Sequence, residues 1–268
     1  MLSRNAIALC LVWLTPGLAG AQEPINANDL AKLVAERAAN EGRVGTMHFR
    51  LENSSSRVRE REALMIHSEK DDTERIAIYF TEPAMIEDTA FLSFNHAAAE
   101  DENWLYLPAT DRVRRLPASD RGDYFLGTDL TYGDIKDNFK FGLDDWDFAI
   151  EAHDAENGSL PILTGQARTP EIGAEMGYGS FRAGIDLETA FPVWIDYTDT
   201  DGEPLKRVEV LEIEIIGGVH TALAFTATNQ QTGHSTAVSF TGMHHVPQLD
   251  QSIFDPETLA YGIPDVDG

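Results

Sequence analysis

The sequence predicts a mainly β protein in which about eleven strands form one antiparallel sheet that curls on itself. From Met47 onwards, apolar residues recur at every second position, as they do in a half-buried strand. The alternating segments are short, and tight-turn signals such as Asn157-Gly158 and Asp201-Gly202 separate them. Evenly spaced strands joined by tight turns are typical of an antiparallel sheet.

The first 21 residues are expected to be a secretory signal peptide that is cleaved after Ala21. Arg4 provides a positive charge, residues 6–14 form an apolar run, and an A-x-A cleavage site ends at Ala21. The run is much shorter than the roughly 20 residues that span a bilayer. The sequence therefore predicts export to the periplasm and a single mature domain over residues 22–268.

Cysteine usage and charge narrow the function classes. Cys10, the only cysteine, lies inside the apolar run and not at the cleavage point, so we expect no lipid anchor and no disulfide in the mature chain. The net charge of −25 should repel nucleic acid and anionic lipid surfaces. No apolar run in the mature chain approaches membrane-spanning length, so the protein is not expected to span a membrane.

One helix is predicted before the strands, over residues 26–39. Asn26 or Asn28 can cap its first turn, and Gly42 follows its end. Its apolar residues fall on one stripe, which gives the helix a single face to bury. This stripe consists of Leu30, Leu33, Val34 and Ala38.

The alternating segments fall into two groups. The first group comprises residues 47–51, 57–67, 76–80, 89–95, 103–107 and 112–116. Residues 119–143, rich in Asp and Gly, then interrupt the pattern and contain one helical turn near residues 131–138. The second group comprises residues 146–153, 161–168, 180–187, 193–198, 206–216, 219–229 and 235–243. Residues 252–257 are typical of a closing helical turn.

Three stretches carry a resemblance to a known family. They are Trp104–Pro108 (WLYLP), Asp111–Leu116 (DRVRRL) and Phe125–Ile135 (FLGTDLTYGDI). Together they resemble the core motif of the LolA-like outer-membrane lipoprotein-sorting family. Pro192–Asp196 and Asp201–Lys206 are similar to a later strand and turn of that family.

The resemblance extends from about Val44 to Leu259. Thr128 stands where the family usually has Ser, and Gly133 where it usually has an acidic residue. Both departures lie in a loop, so they affect loop contacts and leave the fold assignment in place.

The resemblance implies an incomplete barrel, a half-barrel with a helical lid on its concave face. It also implies a periplasmic carrier, expected as a monomer, that binds a lipid or lipoprotein acyl chain during outer-membrane lipoprotein or lipid sorting. The alternative is a non-enzymatic accessory module of an inner-membrane transporter of the resistance-nodulation-division type. Family members are not expected to be enzymes.

Eight residues are candidates for the lining of a hydrophobic cavity. Each is apolar and lies in an alternating segment. Any one of them taken alone is more typical of an ordinary core, but as a group they favour a cavity, since a half-barrel has only one packed face. The candidates are Phe49, Leu51, Ile78, Phe80, Trp104, Tyr106, Phe225 and Phe240.

Two further groups are candidates for the rim and the gate of this cavity. Arg112, Arg114 and Arg115 can hold a lid carbonyl or a cargo head group, or can pair locally with Asp111, Asp120 or Asp123. The loop that contains Phe125, Gly127, Asp129 and Tyr132 can act as a gate or as a structural plug. Arg57, Arg59 and Arg61 share one strand face and are interpreted as solvated.

The sequence offers no convincing catalytic, cofactor or metal site. Adjacent residues on a strand point to opposite faces, so His244 and His245 are poorly placed to bind one metal ion. Asp144 and Asp145 are neighbours in a chain with 45 acidic residues, where such pairs arise by chance. We therefore expect no catalytic residue, no cofactor and no bound metal.

Overall fold

The structure, a computed structural model, describes residues 25–96, 101–151 and 160–266. The predicted signal peptide, Cys10 and the predicted turn at Asn157-Gly158 lie outside these ranges. Within them the chain forms one sheet of 13 strands and three α-helices. The estimate of about eleven strands is too low, because each alternating segment forms a strand of its own.

The bounds of the elements follow the predicted segments closely. The strands are β1 (Arg43–Glu52), β2 (Val58–Lys70), β3 (Thr73–Glu82), β4 (Ala90–His96), β5 (Glu102–Leu107), β6 (Arg112–Leu116), β7 (Trp146–Glu151), β8 (Ile162–Ala167), β9 (Ser180–Ile185), β10 (Pro192–Thr198), β11 (Pro204–Ile216), β12 (Val219–Asn229) and β13 (Ser235–His245). The helices are α1 (Ala27–Ala35), α2 (Tyr132–Asp137) and α3 (Pro170–Met176). Near the C-terminus, Gln251–Phe254 and Pro256–Tyr261 form 3₁₀ turns.

The strand order explains why the sheet stays open. It is β6-β5-β4-β3-β2-β1-β13-β12-β11-β10-β9-β8-β7, and all neighbours are antiparallel. The chain starts in the middle of the sheet, runs out to the edge strand β6, crosses to the other edge strand β7 and returns to pair β13 with β1. Residues 117–145, which we call the plug, make that crossing.

The two faces of the sheet carry separate hydrophobic clusters. Every strand contributes to the first cluster, which also contains apolar residues of α1 and of the plug. Because strands from both ends of the sheet contribute to this one cluster, the sheet curves around it. We call the face that carries this cluster the inner face. The second cluster draws only on β1 to β6 and on residues 246–266, which cover the outer face there.

Helix α1 is shorter than predicted. Asn26 is its N-cap, with Oδ1 accepting a hydrogen bond of 2.9 Å from the Asp29 amide. Leu30, Ala31 and Val34 are buried. Leu33 was expected on the buried stripe but is 38% exposed, because the face that packs on the sheet is the one that carries Leu30, Ala31 and Val34. The helix contacts β7 and β8 and so covers one end of the inner face.

Candidate functional site

The plug places an aromatic side chain at the centre of the inner face. Phe125 is fully buried, and its ring centroid lies 6.4 Å from that of Phe49, 6.1 Å from that of Phe80 and 5.3 Å from that of Phe91. Tyr132 packs edge-on against Phe125 at 5.4 Å. Aromatic rings at such spacings attract one another beyond the burial of their area. The plug thus fills the hollow where β1, β3 and β4 meet.

A capping box sets the start of α2 within the plug. The Asp134 amide donates to Thr131 Oγ1 at 3.1 Å, and the Thr131 amide donates to Asp134 Oδ2 at 2.7 Å. This reciprocal pair satisfies two helix-end donors. Asp134 also forms an ion pair with Lys206 of β11, and both side chains are buried. The cap and the ion pair together attach α2 to the second half of the sheet.

Two further contacts hold the loop before α2. Arg61 of β2 donates from Nη1 to the backbone oxygen of Leu126 at 2.7 Å. The carboxylate of Asp129 accepts a hydrogen bond from Thr236 Oγ1 at 2.8 Å, and the His234 Nδ1 atom is 2.5 Å away. The Asp129 amide donates to the same Thr236 hydroxyl at 3.0 Å. The loop is therefore fastened to both β2 and β13.

Of the four predicted gate residues, Phe125 and Tyr132 pack in the first cluster on the inner face, whereas Gly127 is exposed. Phe125, Asp129 and Tyr132 are buried. Gly127 has φ +77, a conformation that favours glycine, whereas Gly133 lies in α2 with no positive φ. Their role as a moving gate stays a prediction.

Six of the eight candidate lining residues lie on the inner face. Five are buried members of the first cluster and Phe240 packs against it. The six residues are Phe49, Leu51, Ile78, Phe80, Phe225 and Phe240.

Trp104 and Tyr106 lie on the outer face, which corrects their predicted placement. Leu105, between them, belongs to the first cluster, so its two neighbours on β5 point the other way. They pack in the second cluster with Ile253 and Phe254. Both faces of β5 carry apolar residues, because the C-terminal turns cover its outer face. The alternation therefore did not show which of the two faces is the inner one.

The predicted arginine rim lies on the edge strand β6, and its members face different sides. Arg115 forms an ion pair with Glu102 at 3.1 Å, not with one of the aspartates considered from the sequence. The register pairs Arg114 with the inner-face residue Leu105, so Arg114 and Arg112 lie on the inner side of the edge. All three arginines are exposed.

Within the described residues, three other arginines hold plug carbonyls: Arg61 at Leu126, Arg37 at Asn138 and Arg168 at Asp144. Arg61 is the one of them that lies among the arginines singled out from the sequence. The alternation of charges predicted a solvated face for Arg61 together with Arg57 and Arg59, and for Arg61 this prediction is wrong. Arg61 pairs directly with Phe49 of β1, and directly paired residues on neighbouring strands share a face. This pairing indicates that Arg61 lies on the inner face.

A cavity of about 60 Å³ remains between the inner face and the end of α2. Its walls are mostly apolar and come from β1, β2, β3, β12, β13 and the plug. The lining includes Met47, Met65, Ile76, Ile78, Ile135, Phe139, Phe225, Phe240 and Met243, with Arg43, His67, Asp134, Asn138 and Thr221 as polar members. Ile78, Phe225 and Phe240 were predicted as lining residues. The others were not, because alternation marks Met47 and Ile76 as apolar strand residues without showing that they border a cavity, and the buried charges come from strands whose register the sequence does not show.

Buried charged groups surround the polar side of this cavity. His67 Nε2 lies 2.7 Å from Glu74 Oε1, and both side chains are almost fully buried. Burial lowers the pKa of His67 to about 4. Burial alone would raise the pKa of Glu74, but the hydrogen bond from His67 and the charges of Lys140 and Arg43 hold it at about 2. A neutral imidazole therefore donates its Nε2 proton to a carboxylate at neutral pH.

Two kinds of feature are absent from the described ranges. No helix there is long and apolar enough to cross a membrane. No group of three or more His, Cys, Asp or Glu side chains there is arranged to hold a metal ion. His244 and His245 lie instead near separate backbone oxygens, those of Gly242 and Gly42.

Comparison with known proteins identifies the fold. A family model described as that of an uncharacterized protein matches residues 72–261. A domain assigned to outer-membrane lipoprotein sorting, from Vibrio parahaemolyticus, is 23% identical with a TM-score of 0.77, and the match covers 87% of this chain and 98% of that one. No curated protein matches this chain.

Two other solved structures are similar over the same extent. A DUF1329 family protein from Desulfovibrio piger is 21% identical with a TM-score of 0.76, and the match covers 87% of this chain and 97% of that one. A LolA superfamily protein from Nitrosomonas europaea is 16% identical with a TM-score of 0.63, with 87% and 98% covered. At these identities the similarity establishes the fold alone.

Proposed function

Because this chain belongs to the LolA-like family, we propose that it is an exported carrier that takes the acyl chain of a lipid or lipoprotein onto the inner face of its open sheet. The observation that carries this proposal is the plug, a segment whose apolar side chains cover the inner face and whose polar contacts, among them those with Arg61, Thr236 and Lys206, are separate from that apolar packing. An acyl chain can take the place of the plug's apolar side chains.

Two opposing contributions govern the free energy of such an exchange. Lifting apolar plug residues into water costs roughly 25 cal/mol per Å² of exposed apolar area. Burying an acyl chain returns about 0.8 kcal/mol per CH₂ group. The two contributions have opposite signs, so the length of the acyl chain decides whether loading is favourable.

We place this carrier in the periplasm. The features of a signal peptide in residues 1–21 support that location. The absence of cysteine from residues 22–268 is compatible with it, because a domain of this size can rely on its hydrophobic core.

We further propose that the protein carries out no covalent chemistry. Thr221 supplies the only hydroxyl among the described residues that line the cavity, and it donates to the backbone oxygen of Val219 at 3.2 Å. Its other close polar neighbour is Arg43, which is not a base. This arrangement does not activate a nucleophile.

Native mass spectrometry tests the carrier proposal. The mature protein is purified from the periplasm without detergent and measured before and after lipid extraction. We expect a bound mass that disappears on extraction and matches a lipid or an acylated peptide. A clean apo mass, together with no uptake of a fluorescent acyl probe by the extracted protein, would overturn the proposal.

The second candidate is an accessory module of a membrane transporter. The filled inner face favours it, and so do Leu211 and Ile215 on β11, which are 63% and 65% exposed. Exposed apolar side chains on a soluble domain can mark a protein contact. Co-purification of a membrane protein with the wild type, and its loss in a Leu211→Ser/Ile215→Ser variant that still binds acyl probe, would support this role.

A further inference from the structure

The cavity beside α2 has a positively charged side that the proposed acyl chain does not explain. Arg43 lines the cavity and is 5% exposed. Its only hydrogen bond within the described residues is a long one of 3.5 Å from Nη1 to Thr221 Oγ1, and its Nε atom has no partner there. A buried donor without an acceptor costs about 1–3 kcal/mol, and more for a charged group. An anionic ligand would remove that cost.

The charges around Arg43 do not neutralise it fully. Glu74 is engaged by His67 at 2.7 Å, and Lys140 lies 3.5 Å from Glu69 and 4.0 Å from Glu74. Arg43 and Lys140 thus balance the two carboxylates. Arg37, also buried, adds one further positive charge that acts on Arg43. Asp134, the carboxylate that lines the cavity itself, is paired with Lys206. With that pair neutral, the group keeps one net positive charge at neutral pH, when His67 is neutral.

The size and the walls of the cavity restrict the anion. Its volume of about 60 Å³ has room for a few water molecules, so the head group next to Arg43 must be small. The neighbouring walls include Met47, Met65 and Met243, three of the six methionines in the chain. Methionine side chains are flexible and adapt to ligands of different shape. The walls can therefore widen for an alkyl chain, but the polar end favours a compact head.

We propose that this cavity binds an alkyl carboxylate, with the carboxylate accepting hydrogen bonds from Arg43 and the chain displacing Phe139 and Ile135 of the plug. The inference rests on the proposed carrier function and specifies its ligand as a molecule with the chemistry of a free fatty acid. Arg43 then has two roles, since it neutralises the head group and fixes the direction in which the chain enters.

Displacement of an uncharged fluorescent probe tests this inference. The mature wild-type protein is loaded with N-phenyl-1-naphthylamine at pH 8 and titrated with dodecanoate, 1-dodecanol and dodecyl phosphate. We expect dodecanoate to compete at least tenfold more strongly than dodecanol, and more strongly than the bulkier phosphate. This comparison needs no variant and so does not depend on how a substitution folds.

Variants then assign the effect to Arg43. Arg43→Met should weaken dodecanoate binding at least tenfold and leave dodecanol within twofold. Arg50→Met is the matched control, because Arg50 lies on the same strand, is exposed and pairs with Glu52. It should change neither affinity.

Failure of the inference differs from failure of the proposed function. Equal competition by dodecanoate and dodecanol would overturn the anion site and leave an apolar carrier. Stronger binding of dodecyl phosphate would overturn the choice of a carboxylate. No uptake of the naphthylamine probe and no binding of any competitor would overturn both the inference and the carrier function.

Discussion

The guanidinium of Arg61 donates a hydrogen bond of 2.7 Å to the backbone oxygen of Leu126, and this contact joins β2 to the plug. Leu126 has φ +47, a conformation that residues other than glycine seldom adopt. Arg61 thus holds a turn that the local sequence does not favour. A contact of this kind can be broken without disturbing the hydrophobic core, so it is a suitable place to probe movement of the plug.

Replacement of Arg61 should loosen the plug. We expect Arg61→Met to lower the free energy of unfolding by only about 1 kcal/mol, because the side chain is partly solvated. Uptake of N-phenyl-1-naphthylamine should nevertheless increase severalfold. Arg59→Met is the control, since Arg59 is exposed on the same strand two residues away. Equal probe uptake by the two variants would show that the Arg61 contact does not restrain the plug.

The backbone at Gly127 provides an independent test of the same segment. Gly127 has φ +77 and Gly202, in a surface hairpin, has φ +90. An alanine at either position meets no close atom, so both substitutions introduce mainly backbone strain of about 1–2 kcal/mol. Urea unfolding should show similar losses for Gly127→Ala and Gly202→Ala. Only Gly127→Ala should change probe uptake, and a change in both would contradict a specific role for the plug.

The ion pair between Lys206 and Asp134 should contribute strongly to stability. Both side chains are buried, and removal of one partner leaves an uncompensated charge, which typically costs 3–5 kcal/mol. We expect Lys206→Met to destabilise by about that amount in urea unfolding. Adding Asp134→Asn should recover part of the loss, because the buried carboxylate charge is removed as well.

The exposed pair of Arg182 and Glu151 is the control for that experiment. It is bidentate, with contacts of 2.7 and 2.8 Å, but it lies at the surface. Arg182→Met should therefore cost less than about 1 kcal/mol. If Lys206→Met were no more destabilising than Arg182→Met, the buried pair would not be what fastens α2 to the sheet.

The strands could be predicted from the sequence, whereas much of the site could not. Alternation located all the segments that became strands, because the side-chain period of a strand is visible in one sequence. It did not show which face of β5 is inner, since Trp104, Leu105 and Tyr106 are all apolar and the covering residues 249–259 lie far away in sequence. Tertiary packing by a distant segment decides such cases.

Helix α3 and the charged end of the cavity were missed for different reasons. Thr169 and Pro170 are a recognisable helix start, with Gly177 at its end, but the helix is too short to show an apolar period. Arg43, His67 and Glu74 come from three strands and meet through the cross-strand register. Their contact could have been predicted only from the correct register of β1, β2 and β3.

Stability should fall in mild acid because of His67. Burial lowers its pKa to about 4 in the folded chain, against 6.5 in the unfolded chain. Between these values the unfolded chain binds a proton that the folded chain does not, so the free energy of unfolding decreases as the pH falls. We expect a loss of up to about 2 kcal/mol between pH 6.5 and 5, measured by urea unfolding. Glu74, with its pKa lowered to about 2, adds a further loss only below about pH 4.5.

Two variants isolate the contribution of this histidine. His67→Gln keeps a donor for Glu74 but cannot titrate, so its stability should depend much less on pH between 6.5 and 5. His244→Gln changes an exposed histidine and should retain the wild-type dependence. The contrary result would be that His67→Gln loses stability in this range as steeply as the wild type. In that case the buried imidazole would not be the group that binds the proton on unfolding. The neutral state assigned to it beside Arg43 would then be wrong.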